Sequence, residues 1–153
     1  MKVKEIMSKK VIYAKSGDDL QKVLGLLVKH KISGLPVVDK NKKVVGVVSE
    51  TDLLKAIDIY SGINTPEMFS LVISALRSET FESMKKSLKV FMKQKVIRYM
   101  KKPITIEMKE DVYNVMRMMN KHDIDRLIVT EKGRLKGIIT RQDIIKIVNK
   151  ITK

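Results

Sequence analysis

Ser49, Thr51 and Asp52 stand within four positions of one another, between the apolar run Val44–Val48 and the apolar pair Leu53–Leu54. Two hydroxyls and a carboxylate just ahead of a helix suit a phosphorylated sugar. The hydroxyls donate hydrogen bonds. The first helical turn adds unpaired N–H groups and a partial positive charge, a natural seat for phosphate. The carboxylate accepts two hydrogen bonds from a ribose diol. The same residue types also cap helices, so capping is the competing explanation. Gly46 ends a turn and starts a strand at a point where backbone can approach a ligand closely.

Other chemistries are excluded by composition. There is no cysteine, which removes a disulfide scaffold, a zinc finger, an iron–sulfur site and a thiol nucleophile. The two histidines, His30 and His122, fall near predicted helix ends, where an imidazolium is mildly favourable, and no metal site is expected. No glycine-rich phosphate loop and no Ser–His–Asp order is present, so no catalytic residue is assigned and an enzyme is not expected. Asp18–Asp19 and Glu110–Asp111 precede helices and need no catalytic role. The Met116–Met119 stripe reads as core or dimer surface. The N-terminus, MKVKEIMSKK, is polar every few residues, unlike a signal peptide. The longest apolar runs, such as Gly34–Val38, are too short to span a bilayer. A soluble, cytoplasmic protein with no membrane contact is expected.

The chain has 153 residues, 44% of them hydrophobic and 32% charged, enough to fill a core. Lysine and arginine exceed aspartate and glutamate, 32 against 17, and the +15 surplus is spread along the chain rather than gathered in a tail. One explanation is a compositional habit of the host. Another is an electrostatic footprint for nucleic acid. Aromatic residues at 5% argue against a base-stacking platform, so any such binding is expected to be weak and salt-driven.

The elements that must position Ser49, Thr51 and Asp52 occur twice. KHKISGLPVVD at Lys29–Asp39 matches KHDIDRLIVTE at Lys121–Glu131, and VGVVSETDLLKAI at Val45–Ile57 matches KGIITRQDIIKIV at Lys136–Val148. VKEIM at Val3–Met7 matches VIRYM at Val96–Met100. Each copy has a short helical lead-in and then an extended stretch, Val11–Ala14 or Ile104–Ile106. Asp18 and Asp19, or Asp111, then cap a helix. Its apolar stripe is Leu20, Val23, Leu24, Leu27 and Val28 in the first copy, and Val112, Val115, Met116 and Met119 in the second. A strand at Leu35–Val38, a polar turn and a strand at Val44–Ser49 follow, then a final helix. The order is β-α-β-β-α, twice. A unit of about fifty residues buries little surface alone, so two copies side by side share a core. The expected divisions are repeat 1 at 1–57, a helical insert at 58–95 and repeat 2 at 96–153. Within the insert, Thr65-Pro66-Glu67 reads as a helix start, with Met68, Leu71, Val72, Ala75 and Leu76 as its apolar face. A second helix carries Phe81, Met84, Leu88, Phe91 and Met92, with Lys85, Lys86, Lys89 and Lys93 opposite. These helices pack onto the repeats or offer a partner or dimer surface.

The repeat resembles the CBS domain, and the whole chain is similar to a tandem CBS pair, or Bateman module. SGLPVVD at Ser33–Asp39 and GVVSETD at Gly46–Asp52 carry the resemblance, together with DRLIVTE at Asp125–Glu131 and GIITRQD at Gly137–Asp143. The resemblance implies an α+β (α/β-like) fold of two repeats packed as a pseudo-symmetric pair. It implies a regulatory module without catalytic activity that binds an adenosyl effector: AMP, ADP, ATP, S-adenosylmethionine or methylthioadenosine. It also implies a homodimer, with the signal passed through dimer or protein-partner contacts. The first implied site comprises Lys10, Val11, Ile32, Ser33, Gly34, Pro36, Ser49, Thr51 and Asp52. A second, weaker site comprises Pro103, Ile104, Ile124, Asp125, Arg126, Ile128, Thr140, Gln142 and Asp143. There Gln142 replaces a hydroxyl, Ile128 stands where Pro36 does, and Asp125 sets a carboxylate near an anion. Arg126 and Arg141 are candidate phosphate partners or surface residues. The alternative function is a basic nucleic-acid-binding protein using the CBS pair as scaffold.

Overall fold

The computed structural model describes residues 1–61 and 79–153. The expected insert helix beginning at Thr65 lies outside the described residues. Six α-helices and two three-stranded sheets are present among them. The first sheet holds β1 (Ala14–Lys15), β2 (Gly34–Val38) and β3 (Val44–Ser49) in that order. Strand β1 runs parallel to β2 and β2 antiparallel to β3. Helix α2 (Leu20–His30) makes the crossover from β1 to β2, and α3 (Glu50–Ser61) follows β3. The second copy repeats this with β4 (Thr105–Glu107), α5 (Val112–His122), β5 (Arg126–Glu131), β6 (Arg134–Thr140) and α6 (Arg141–Ile151). Helix α1 (Val3–Ile6) and a 3-10 turn (Val96–Arg98) are the two lead-ins. Helix α4 (Glu79–Met92) is the second expected insert helix.

Local chemistry sets the ends of these elements. Asp19 Oδ1 accepts from the N–H of Lys22 at 2.9 Å and caps α2, while Asp111 Oδ1 accepts from Tyr113 N at 3.1 Å and caps α5. Asp18, also expected as a cap, instead accepts from Lys15 N and from Lys22 Nζ, each at 2.8 Å. Both helices end on a left-handed residue, Lys31 (φ 52°) and Asp123 (φ 48°). The chain thereby turns straight into β2 or β5. The β5–β6 hairpin turns on Lys132 and Gly133, both at positive φ, as a two-residue turn requires. The two hairpin turns also bond to each other, Val44 N to Gly133 O at 3.0 Å and Leu135 N to Lys42 O at 2.9 Å. That pair of bonds marks the pseudo-twofold between the sheets.

Each lead-in closes the core of the opposite repeat. Val3 is fully buried in the second core, among Val115, Leu127, Val129 and Ile139. Ser8 pairs with Ile138 through two backbone bonds, of 2.9 and 3.0 Å. Across the pseudo-twofold, Phe91, Met92 and Val96 are buried in the first core with Leu20, Val23, Leu35 and Val48. Lys101 pairs with Val47 there, with bonds of 2.8 and 3.0 Å. The expected stripe of α2 is buried at Leu20, Val23 and Leu27. Val28 points outward and is 71% exposed, because it lies at the edge of a stripe the sheet covers only in part. Met116 is likewise at the edge of α5, 37% exposed.

Candidate functional site

Strand β3 runs directly into α3, and Ser49 sits at the junction. Its hydroxyl donates to Asp52 Oδ2 at 2.7 Å, and its N–H donates to the same oxygen at 3.0 Å. The Asp52 N–H donates back to Ser49 Oγ at 3.2 Å. This reciprocal pair is a capping box, so Ser49 and Asp52 do cap the helix. Thr140 and Asp143 form the same box on α6. The remaining oxygen of Asp52, Oδ1, is ion-paired with Lys101 Nζ, and the Asp52 side chain is only 7% exposed. Burial pushes this carboxyl's pKa up. The Lys101 ammonium and the Ser49 hydroxyl and N–H outweigh it, holding the group below the usual carboxylate value.

Beside this junction, register places Gly34 opposite Ser49, and Glu50 N donates to Ser33 O at 2.9 Å. A cleft of about 520 Å³ opens here between the two repeats, within the range of ligand pockets. Ser33, Gly34, Ser49 and Thr51 line it from repeat 1, and Ile104, Ile124, Asp125, Arg126 and Ile128 line it from repeat 2. The grouping expected from sequence assigned these two sets to separate sites. The cleft draws on both. Pro36, Lys10, Val11, Ile32 and Asp52 from the first set are not on its lining, and neither are Pro103, Thr140, Gln142 and Asp143 from the second. Pro36 is buried within β2, Ile32 packs against the first core, and Gln142 is exposed on α6.

Arg126 crosses the pseudo-twofold. One guanidinium nitrogen donates to Gly34 O at 3.0 Å and another donates to Ser33 Oγ. It is therefore a tie between the repeats, with each terminal nitrogen bonded to a protein acceptor. Gly34 presents bare backbone to it, and a Cβ there would come within 3.0 Å of Val48 O. Asp125 faces the cleft with its carboxylate held by Arg141 Nε at 3.1 Å, and Arg141 also reaches Asp123 at 3.4 Å. Arg141 thus offsets the acidic side of the cleft.

Gly46 does not face the cleft. A Cβ on it would fall inside the side chain of Met100, and one on Gly137 would lie 2.6 Å from Met7 Sδ. These glycines receive the lead-in methionines, which corrects the expectation of a ligand approach at Gly46. Five lining residues escaped the sequence reading: Val47, Glu50, Lys101, Lys102 and Asp123. Lys101 and Lys102 directly precede Pro103 and Ile104, so the internal repeat was the available signal for them. Among the described residues no cluster of His, Asp or Glu is suited to a metal ion, and no helix is long and apolar enough to cross a membrane.

Comparison with known proteins bears on the family. The profile of the CBS domain matches residues 3–59 and 95–150. The chain belongs to the CBS domain family. This CBS pair is 34% identical to the uncharacterized protein MJ1426 of Methanocaldococcus jannaschii, over 95% of the chain and 90% of that protein. It is also 34% identical to the chloroplastic CBS domain-containing protein CBSX1 of Arabidopsis thaliana, over 94% of the chain and 62% of that protein. Among solved structures it is similar to CBSX2 in complex with AMP, with a TM-score of 0.72 and 25% identity, covering 99% of this chain and 98% of that one. It is similar as well to the CBS domain pair of protein MJ0100 in complex with 5-methylthioadenosine and S-adenosyl-L-methionine. There the TM-score is 0.65 and the identity 26%, covering 97% of this chain and 96% of that one.

Proposed function

We propose that this CBS pair is a non-catalytic regulatory module that binds an adenosyl ligand in the cleft between its repeats. The observation that carries the reading is the meeting of three features in one cleft: the start of α3 with the Thr51 hydroxyl, the lysines Lys101 and Lys102, and the apolar side chains of Val47, Ile104, Ile124 and Ile128. The apolar surfaces fit a purine, and the cationic end with the helix start fits a phosphate. The adenosyl compounds bound to CBSX2 and to the MJ0100 pair support the same class. Output passes through dimer or partner contacts. We place a homodimer surface on α5 and α6, where Tyr113, Met116, Ile145, Val148 and Ile151 are exposed.

Thermal melts and calorimetry with AMP, ADP, ATP, S-adenosylmethionine, methylthioadenosine and NAD test this. At a hundredfold excess over Kd, a ligand adds about 2.7 kcal/mol. That corresponds to a rise of roughly 5–11 °C in Tm for a chain of this size. Unchanged melting across the whole panel at millimolar ligand overturns the reading. A second reading, nucleic-acid binding with the pair as scaffold, is favoured by the exposed Lys85, Lys86, Lys89 and Lys93 of α4 and the turn after it. Its mark is a log affinity for duplex DNA that falls linearly with log salt, by about 0.9 per phosphate contact.

A further inference from the structure

We infer that Lys101 makes the cleft select ligands that carry a phosphate, by exchanging its bond to Asp52 for one to the ligand. This rests on the adenosyl reading and specifies which adenosyl compounds the site takes. The Asp52 carboxylate is 7% exposed, and both its oxygens are in use. Oδ2 accepts from the Ser49 hydroxyl and N–H, bonds that also start α3. Oδ1 is held by Lys101. Asp52 itself is off the cleft lining and its partner Lys101 is on it, so an incoming ribose diol reaches Oδ1 only by displacing Lys101, while giving up Oδ2 would dismantle the helix cap.

The consequence depends on the ligand's charge. A neutral nucleoside that takes Oδ1 breaks the direct contact between the Lys101 ammonium and Asp52 and offers no charge in its place. A nucleotide supplies a new counter-ion in the same cleft, which Lys101 also lines. Lys101 is suited to the exchange. Its side chain is 66% exposed, and an ammonium on a flexible stem has three rotatable donors. Its backbone stays fixed meanwhile, bonded to Val47 on both sides at 2.8 and 3.0 Å. The opposite rim carries Asp123 and Asp125 with one Arg141 shared between them, so it attracts an anion less than the lysine side does. The phosphate is thus directed toward Lys101, Lys102 and Thr51.

The test is calorimetry with AMP and with adenosine, at fixed salt, on the wild-type chain, Lys101→Gln and Lys101→Arg. The wild type is expected to favour AMP. In Lys101→Gln the ratio of AMP to adenosine affinity falls about ten- to hundredfold, the scale of one charge-assisted hydrogen bond. AMP binds more weakly and adenosine at least as well, because Oδ1 is released. Lys101→Arg retains most of the ratio. If both ligands bind and the ratio is the same in wild type and Lys101→Gln, this inference is wrong and the adenosyl reading stands. If no adenosyl compound binds any of the three proteins, the adenosyl reading fails and takes this inference with it.

Discussion

At the scale of single residues, the carboxylates divide by what holds them. Asp52 is nearly buried, and its charge is supported by Lys101 and Ser49. Asp18, 12% exposed, is pushed up by burial and pulled further down by the Lys22 ammonium and the Lys15 N–H. Both native pKa values lie below the ordinary 3.8. A carboxyl depressed in the fold adds stability that is complete above its unfolded value and is lost as pH falls through the native one. Urea unfolding from about pH 6 to about pH 2.5 should therefore show stability declining below the ordinary carboxylate value. Asp52→Asn should be less stable at the upper end and show a shallower acid decline. Some decline should remain, because Asp18 titrates in the same window. An acid profile identical to wild type would mean that the ion pair with Lys101 adds nothing to folding. Residue type left capping by Ser49 and Asp52 as one of two readings, and the reciprocal bonds decide that they do cap. The ion pair was not legible in the sequence, since no local spacing relates Asp52 to Lys101.

Among the elements, strands β3 and β6 are defined by what lies on their glycines. Gly46 and Gly137 occupy equivalent places in the repeat, and each meets the methionine of a lead-in, Met100 or Met7. Gly46→Ala must displace the whole Met100 side chain, so overpacking should cost about 1–3 kcal/mol. That lowers Tm by roughly 2–12 °C. Combining it with Met100→Ala should recover part of the loss, and a melt of the double variant below that of both single variants would refute the contact. The strands and helices themselves were legible as alternation and 3.6-residue stripes. The strand ends were less so. Strand β1 is confined to Ala14–Lys15 rather than Val11–Ala14, because only those residues pair with β2, at Val37 and Val38.

For the whole molecule, the exchange of lead-ins makes the two repeats interdependent. Val3 belongs to the second core although it precedes the first repeat's strands in the chain. Val3→Ala should cost on the order of 2 kcal/mol. Hydrogen exchange should localise the loss, with amides of Leu127, Val129 and Ile139 exchanging up to roughly thirtyfold faster. Leu35, Val37 and Val48 should change less. Faster exchange at Leu35 and Val37 with Leu127 unmoved would place the lead-in on the wrong core. The same exchange puts Lys101 and Lys102 beside α3 of repeat 1, so the cleft is shared between the repeats rather than owned by one of them.

Sequence by itself determined the duplication, the β-α-β-β-α order, the caps at Asp19 and Asp111, and the apolar faces of the helices. These follow from periodicity and capping, which act over a few residues and leave their pattern in the chain. Tertiary structure decided which lead-in closes which core, why Gly46 and Gly137 are glycine, and where the free oxygen of Asp52 goes. It also decided that Arg126 reaches Ser33, 93 positions earlier. Contacts across such separations depend on how two repeats dock. Their exchange about a pseudo-twofold leaves no spacing for a sequence to display.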